Sequence, residues 1–544
     1  MKFNKLFDTD ENVTAYDYFE KIGVPDDYFE FKTIEPNSHY GQSLKDGITM
    51  LECYDKVYLL VDSDFDGSAS SSMLDDFLRK KGYTVNHILH NENPKAHGLE
   101  DDEVMDILRN TKPSLLIIPD AGTPNVEQHK ELYALGWKIL VLDHHEADKS
   151  ILDESPALIV NNQLIDTVEN KSGSGTLVTW HFMYEIDSDL ANKYISYVAI
   201  SLLSDSMDCR TLENGTFIHY GLKENSIHKN LKPLVEELNK TYNPYDYSFG
   251  IIPKANATIR CGSLEDKLLM YSVMAGYEKE ESKIKDCIKR MKKCHTTQSN
   301  ETKRLMAESV EIEDESEPVI LSKITEKTPF TGLVANKLMS KYNKPILLVH
   351  DRANGCSDGS ARSPIEFKEI LNDSNMFNYA EGHSCAFGVS YNTSVEEQVK
   401  DFLYSLTLSE PQIDVLTCYS KILPLSNIID RFEPFKSVWT ASGSNVVEPS
   451  FGFTYVVKRS DINFIGRTGT TMKFHIGEWD FIKFFCSNAW KDENINIYKP
   501  SQELELTFVG KMQWNEYMGK RTPQVVIDKI EIKEHEDDAL TLFM

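Results

Sequence analysis

Three short apolar runs, each ending in an acidic or histidine cluster, constrain this chain more than any other feature. Val57-Tyr-Leu-Leu-Val61 leads into Asp62-Ser-Asp64-Phe-Asp66-Gly67. Leu115-Leu-Ile-Ile118 leads to Asp120-Ala-Gly122, and Ile139-Leu-Val-Leu142 to Asp143-His144-His145. Runs this short and apolar throughout suit strands buried on both faces, as in a parallel α/β sheet. Ligands of such sheets gather at the carboxyl ends of the strands. Three strands would bring at least four carboxylates and an imidazole to one rim. Carboxylates at that density repel unless divalent cations sit among them, so a two-metal site for phosphoesters is expected.

At 544 residues the chain exceeds one ordinary core, and two to four domains are expected. The alternation of β-type runs with helical segments (Ala69–Lys81, Asp101–Thr111) from about Lys56 to Cys209 predicts βαβ units in a domain spanning 51–263. Residues 1–50 carry no legible motif beyond a helix around Tyr16–Ile22. Residues 264–312, free of proline, predict one long helix or a helix pair joining two domains. A second α/β domain is expected over 313–433, with helices at Thr331–Tyr342 and Ile365–Leu371 and a strand at Pro345–Val349. Short alternating runs with glycine turns over 434–533 predict a β-barrel or sandwich, and 534–544 forms an acidic, then apolar, tail.

No apolar stretch is long enough to span a bilayer. Nine cysteines without zinc-type spacing, and an N-terminus without an apolar leader, point to a reducing cytoplasm. The net charge of −27 opposes a nucleic-acid partner over the whole chain. Residues 453–533 nevertheless hold 12 Lys and Arg against 10 Asp and Glu, and binding uses local patches.

Asp62, Asp64 and Asp66 alternate, so at an extended strand end they would share one face, with Gly67 turning the chain into a helix near Ser68. A solvated acidic turn is the commoner explanation of one such cluster, but three clusters after buried-type strands argue against it. Asp120 has two oxygens with which to bridge cations. In Asp143-His144-His145 the adjacent rings point apart, so one imidazole can bind metal while the other faces a phosphate. Asp205 ends an apolar stretch and is a further candidate ligand. Ser172-Gly-Ser174-Gly-Thr176 opens a helix and would present N–H groups to an anion; its bland alternative is a flexible loop. Ser360, Arg362, Gly382 and His383 supply small residues, a guanidinium and an imidazole in the second α/β region.

These motifs, taken in order, resemble the DHH phosphoesterase family, and within it the RecJ-type single-strand DNA exonucleases. DSDFDG, Asp120, DHH and Asp205 look like the four metal motifs, and His97-Gly98-Leu99 resembles the family's YGL segment. Pro253–Arg260, with Asn256 and Arg260, resembles PRLNAxGR; Gly359–Ser363 and Glu381–Gly388 resemble GSxRS and GGHxxAxG. Val509–Gln524, with Trp514 and Asn515, resembles a stretch of the RecJ OB-fold. The resemblance covers roughly residues 55–533. It implies a DHH domain, a DHH-associated domain and an OB-fold, with Asp62, Asp64 and Asp120 at one metal and Asp66, Asp120, His144 and Asp205 at the other. His145, with Asp143, and Arg362 and His383 would lie near the phosphate; Ser174, Asn256, Arg260, Ser360, Gly382, Trp514 and Asn515 are the candidate substrate contacts. Glu381 in place of the first glycine of GGH, Phe387 in place of a small residue, and Thr258-Ile259 before Arg260 depart from the pattern.

The chemistry expected is hydrolysis of single-stranded DNA assisted by two Mn²⁺ or Mg²⁺ ions. Removal of mononucleotides in the 5′→3′ direction follows from the resemblance alone. Trp479, Trp490, Trp514, Tyr517 and Phe485 are candidate stacking platforms, most of them expected to be core. The rival readings are a phosphodiesterase for short oligonucleotides or cyclic dinucleotides, and an inert replication scaffold. The end of the tail, Leu540 to Phe543, resembles peptides that dock into sliding clamps; packing onto the protein's own surface is the alternative.

Overall fold

Five short segments after residue 55 form a parallel sheet: β1 (Lys56–Val61), β2 (Thr84–Leu89), β3 (Leu115–Pro119), β4 (Lys138–Asp143) and β5 (Leu158–Asn161). Their spatial order is β2-β1-β3-β4-β5. β3 is buried along its whole length and β4 everywhere but its first residue, which is why both read as unbroken apolar runs. One face packs around Leu60, Leu116, Ile118, Trp137, Ile139 and Val141. β1 has β2 on one side and β3 on the other, and that reversal of strand order opens a crevice at their carboxyl ends.

The computed structural model describes residues 1–30, 40–91, 97–312, 314–326, 328–408 and 412–535, except the side chains of His383 and Ser442. It divides into two units, Glu30–Pro411 and Met1–Phe29 with Gln412–Met544. Among the described residues, no helix is long and apolar enough to cross a membrane.

In the first unit, helix α1 (Phe65–Lys80) follows β1, and every residue from Phe65 to Leu78 is buried. Gly67, Ser68, Ala69, Ser70, Ser71 and Ser72 are small enough to let it press against its neighbours. Gly67 does not make the expected turn. It lies inside α1, where a Cβ would fall 2.8 Å from Asp62 Cα, so its function is close approach of helix to strand. Asp62, Asp64 and Asp66 likewise do not alternate along a strand: β1 ends at Val61, Asp64 caps α1 and Asp66 sits in its first turn. Helices α2 (Gly175–Ile186), α3 (Ile195–Ser204) and α4 (Ile251–Cys261) complete the surroundings.

The segment expected to connect two domains is a helix pair, α5 (Leu264–Met274) and α6 (Glu281–Glu308), interrupted near Gly276 at φ 73°. A mixed six-stranded sheet follows in the same unit. It comprises β6 (Val310–Ile312), β7 (Ile320–Ile324), β8 (Ile346–Asp351), β9 (Cys356–Arg362), β10 (Tyr379–His383) and β11 (Ala386–Asn392), in the order β10-β11-β9-β8-β7-β6. Helix α7 (Thr331–Tyr342) lies over β8 and β9. Helix α8 covers Lys368–Asp373, starting later than the apolar pattern from Ile365 predicts. Ser363 Oγ accepts the Ile365 N–H at 3.1 Å, and Phe367 and Lys368 donate to Ser384 O, so backbone groups there are satisfied outside a helix.

The second unit is built on a seven-stranded mixed sheet ordered 418–420, 451–458, 503–517, 520–534, 479–483, 471–476 and 463–465. Its core stacks Phe453 on Phe508 at 4.9 Å and Phe474 on Phe481 at 5.0 Å. Trp479 is fully buried, whereas Phe485 is 94% and Tyr517 68% exposed. Phe3–Lys5 pairs in parallel with Ile413–Val415, and Phe19 stacks on Trp439 at 5.0 Å. The first 29 residues, without a legible motif, are thus part of this unit's core.

Candidate metal centre

Asp120 is the residue around which the centre is arranged. It follows β3 at φ 67°, a left-handed conformation uncommon for a side chain with a Cβ, held by its N–H on Leu142 O at 2.8 Å. It is 1% exposed, and neither carboxylate oxygen has a partner in good hydrogen-bonding geometry, nor has the buried His144 Nε2; their near neighbours are one another and the other acidic groups. Buried polar groups are rarely left without partners unless a ligand supplies them.

Ligand atoms of Asp66, Asp120, His144 and Asp205 lie within 4.8 Å of one another, as do those of Asp62, Asp64 and Asp120 and those of Asp120, His144 and His145. His144 Nε2 is 3.2 Å from Asp120 Oδ1 and 3.3 Å from Asp205 Oδ2. Burial and the charges of Asp66, Asp64 and Asp205 push the Asp120 carboxyl well above the ordinary range. Burial, with Asp66 and Asp64, pushes Asp205 up to about 7. Such a set binds protons when nothing else neutralises it, and an oxygen-rich donor set with one imidazole suits Mn²⁺ or Mg²⁺. The donors present therefore fit a pair of divalent cations.

Asp66 is held from behind. Its oxygens accept the N–H groups of Gly175 at 2.7 Å and Thr176 at 3.0 Å, and the hydroxyls of Thr176 and Ser201. The helix N-terminus expected to meet a substrate anion thus meets this carboxylate instead. Ser174 is buried and caps α2, its Oγ accepting the Leu177 N–H at 3.3 Å. A Cβ on Gly175 would fall 2.6 Å from Asp120 Cα. Thr176 and Ser201 were not singled out from sequence. Ser201 lies one helical turn before Asp205 on α3, a spacing that puts both on one face.

Two aspartate–histidine pairs flank the cluster. Asp143 is buried; Oδ2 accepts Thr123 N–H at 3.0 Å and Oδ1 lies 2.8 Å from His145 Nδ1. Burial opposes a charged imidazole there, but Asp143 outweighs it and His145 is pushed up to about 10. Asp62 Oδ2 lies 2.7 Å from His97 Nδ1 and its charge raises that ring to about 9.

Beyond the acidic residues lie two half-buried guanidiniums. Burial lowers the pKa of Arg260, partly offset by Asp64, and burial together with Arg260 lowers that of Arg362. Arg362 reaches over the start of α7, where a Cβ on Gly332 would sit 2.6 Å from Nη2 and 3.5 Å from Ser360 Oγ. Asn256 Oδ1 accepts the Phe65 N–H at 2.9 Å and fixes the start of α1. Gly382 gives its carbonyl to Lys368 Nζ at 2.9 Å, and Lys368 also reaches Glu146 at 3.3 Å. The His383 side chain and the tail from 536, with Leu540–Phe543, lie outside the described residues. Trp514 and Asn515 belong to the other unit, where Trp514 Nε1 donates to Asp430 at 2.8 Å beneath the Arg521 guanidinium.

Residues 56–202, which carry every metal-type residue but Asp205, match the DHH family, N-terminal domain. The chain thus carries a DHH-type N-terminal domain over that segment. Over 526 residues it is 29% identical to YorK of Bacillus subtilis (strain 168), named as an SPbeta prophage-derived single-strand DNA-specific exonuclease. That match covers 88% of this chain and 87% of YorK. It is 22% identical to the single-stranded-DNA-specific exonuclease RecJ of the same organism, over 97% of this chain and 67% of RecJ. The crystal structure of RecJ with Mn²⁺ from Thermus thermophilus shares this chain's fold at TM-score 0.71 and 18% identity, covering 92% of this chain and 72% of that one.

Proposed function

We propose that this DHH protein is a metal-dependent exonuclease of single-stranded DNA that releases mononucleotides from the 5′ end. The observation that carries the reading is the buried Asp120 carboxylate, without hydrogen-bond partners and shared by three ligand sets, with Arg260 and Arg362 beyond it. The single-strand specificity is supported by similarity to YorK and RecJ, and the direction by the motif resemblance alone.

Asp66, Asp120, His144 and Asp205 would hold one cation, and Asp64 and Asp120, beside Asp62, the second. When bound, the ions supply a water of lowered pKa and positive charge at the phosphate. Asp66 keeps its orientation through Gly175, Thr176 and Ser201. Asp143 fixes His145 through Nδ1, leaving Nε2 to hold or pass a proton at the leaving oxygen. Arg260 and Arg362 would balance charge on the non-bridging oxygens.

Residues 51–263 would act as the DHH domain, 313–411 as a DHH-associated domain (the second unit begins at 412, before the expected boundary at 433) and 412–533 as an OB-fold that grips the strand, with Trp514, Asn515, Phe485 and Tyr517 as contacts. The terminal Leu540–Phe543 would recruit a sliding clamp in the cytoplasm. Digestion of a long 5′-labelled single strand with Mn²⁺, against its duplex, tests the activity. Early release of labelled mononucleotide from the single strand alone is expected. Release from the 3′ end, or equal attack on duplex, would refute the assignment. A substrate length series separates it from a phosphodiesterase of dinucleotides, which would favour the shortest member.

A further inference from the structure

Asp62 stands in the acidic cluster, yet both of its oxygens are already engaged. Oδ1 accepts the Gly98 N–H at 2.9 Å and Oδ2 lies 2.7 Å from His97 Nδ1, with the carboxylate 3% exposed. Asp120 is the opposite case, with neither oxygen partnered. The same device occurs beside Asp120 at Asp143, with one oxygen on Thr123 N–H and one on His145 Nδ1. In each pair a buried carboxylate grips Nδ1 of a ring whose side chain remains half exposed, 55% for His97 and 47% for His145. Both pairs abut the centre: an Asp62 oxygen and a His145 nitrogen each lie within 4.8 Å of an Asp120 oxygen. His97 stands where the resembled YGL segment has tyrosine. A phenol has one polar atom, whereas an imidazole has two nitrogens on different edges, so only histidine can be gripped on one side and make a contact on the other.

We infer that Asp62 is a positioning residue rather than a cation ligand, and that it aims His97 Nε2 at a backbone phosphate of the single strand. This rests on the nuclease reading for the identity of the strand. Asp62 then does for His97 what Asp143 does for His145, and the cluster holds its cations with Asp64, Asp66, Asp120, His144 and Asp205. His97 is a substrate contact that the tyrosine-bearing relatives would make differently.

The experiment uses the full chain and the variants Asp62→Asn, His97→Gln and Asp64→Asn. Bound Mn²⁺ is counted by electron paramagnetic resonance titration. Affinity for a short fluorescent single strand is measured in Ca²⁺ by anisotropy. Asp62→Asn and His97→Gln are expected to keep the wild-type number of Mn²⁺ ions, while Asp64→Asn loses one. Each of the first two should weaken strand binding by about 10-fold, the scale of one hydrogen bond to a charged group. The double variant should be no weaker than either alone. His97→Gln leaves the Asp62 to Gly98 bond in place, so it reports the contact without disturbing the loop. Loss of an ion in Asp62→Asn, unchanged affinity in His97→Gln, or additive losses would each overturn the inference, as would absence of strand binding by the wild type. Hydrolysis by the wild type is followed on the same strand: normal binding and ion counts without cleavage would refute the nuclease reading and leave the Asp62–His97 assignment standing.

Discussion

At the scale of single residues, the centre combines groups that destabilise one another until cations arrive. Asp120→Ala and His144→Ala are expected to lower Mn²⁺-dependent hydrolysis at least about 100-fold, the scale of losing an electrostatic stabiliser in a water-excluded site. Both should remain folded, and Asp120→Ala should melt no lower than the wild type without metal, because it relieves repulsion among Asp64, Asp66 and Asp205. Near-normal turnover in either variant would sink the metal assignment. Asp205 gives a pH signature with a defined sign. Its carboxyl, ordinarily at 3.8, is pushed up to about 7 in the folded protein, so the folded chain holds a proton that the unfolded chain has released. Its contribution to metal-free stability therefore falls as pH rises from about 4 to 7 and stays low above that. Asp205→Asn should raise the melting temperature in EDTA more at about pH 8 than at about pH 5. His97 and His145 are also raised, so their contributions likewise fall as pH rises, but through a higher window, from their ordinary 6.5 to about 9 and 10.

At the scale of elements, the centre depends on helices that approach strands closely enough to need glycine. Gly67→Ala would place a Cβ 2.8 Å from Asp62 Cα, and Gly175→Ala one 2.6 Å from Asp120 Cα. Each collision is with backbone that cannot swing aside, so α1 or α2 must shift, at about 1–3 kcal/mol by the general scale of overpacking. Thermal unfolding in EDTA should show that loss. Mn²⁺ titration of Gly175→Ala should show weaker binding than its stability alone explains, because the shift moves Asp66 with Gly175 and Thr176. Wild-type Mn²⁺ affinity in Gly175→Ala would count against this packing account. The strands and most helices were legible in the sequence because continuous apolar runs and 3.6-residue periodicity are local. The chemistry of Ser174 and Asn256 was not. Both are polar residues in motifs that read as substrate contacts, and only the fold shows that their oxygens accept from Leu177 and Phe65.

At the scale of the whole molecule, the chain's ends belong together: Met1–Phe29 is part of the unit that contains 412–544. A fragment of residues 30–411 should therefore fold alone and cleave short oligonucleotides, with much weaker capture of long strands. A truncation at 433 should instead leave Phe19 without its Trp439 partner and melt at a lower temperature. Equal loss on short and long substrates by the 30–411 fragment would argue against a separate strand-gripping role. The sequence by itself determined the parallel sheet, the clusters at the ends of β1, β3 and β4, and the residue types for divalent cations, since alternation of apolar runs and turns is written in adjacent residues. The tertiary structure alone decided that Asp120 is the carboxylate without partners, that a helix N-terminus serves Asp66, that Asp62 grips His97, and that the first 29 residues complete a core begun after residue 412. These relations join residues up to hundreds of positions apart, and which oxygen remains free for a cation depends on every donor the fold brings within hydrogen-bond reach.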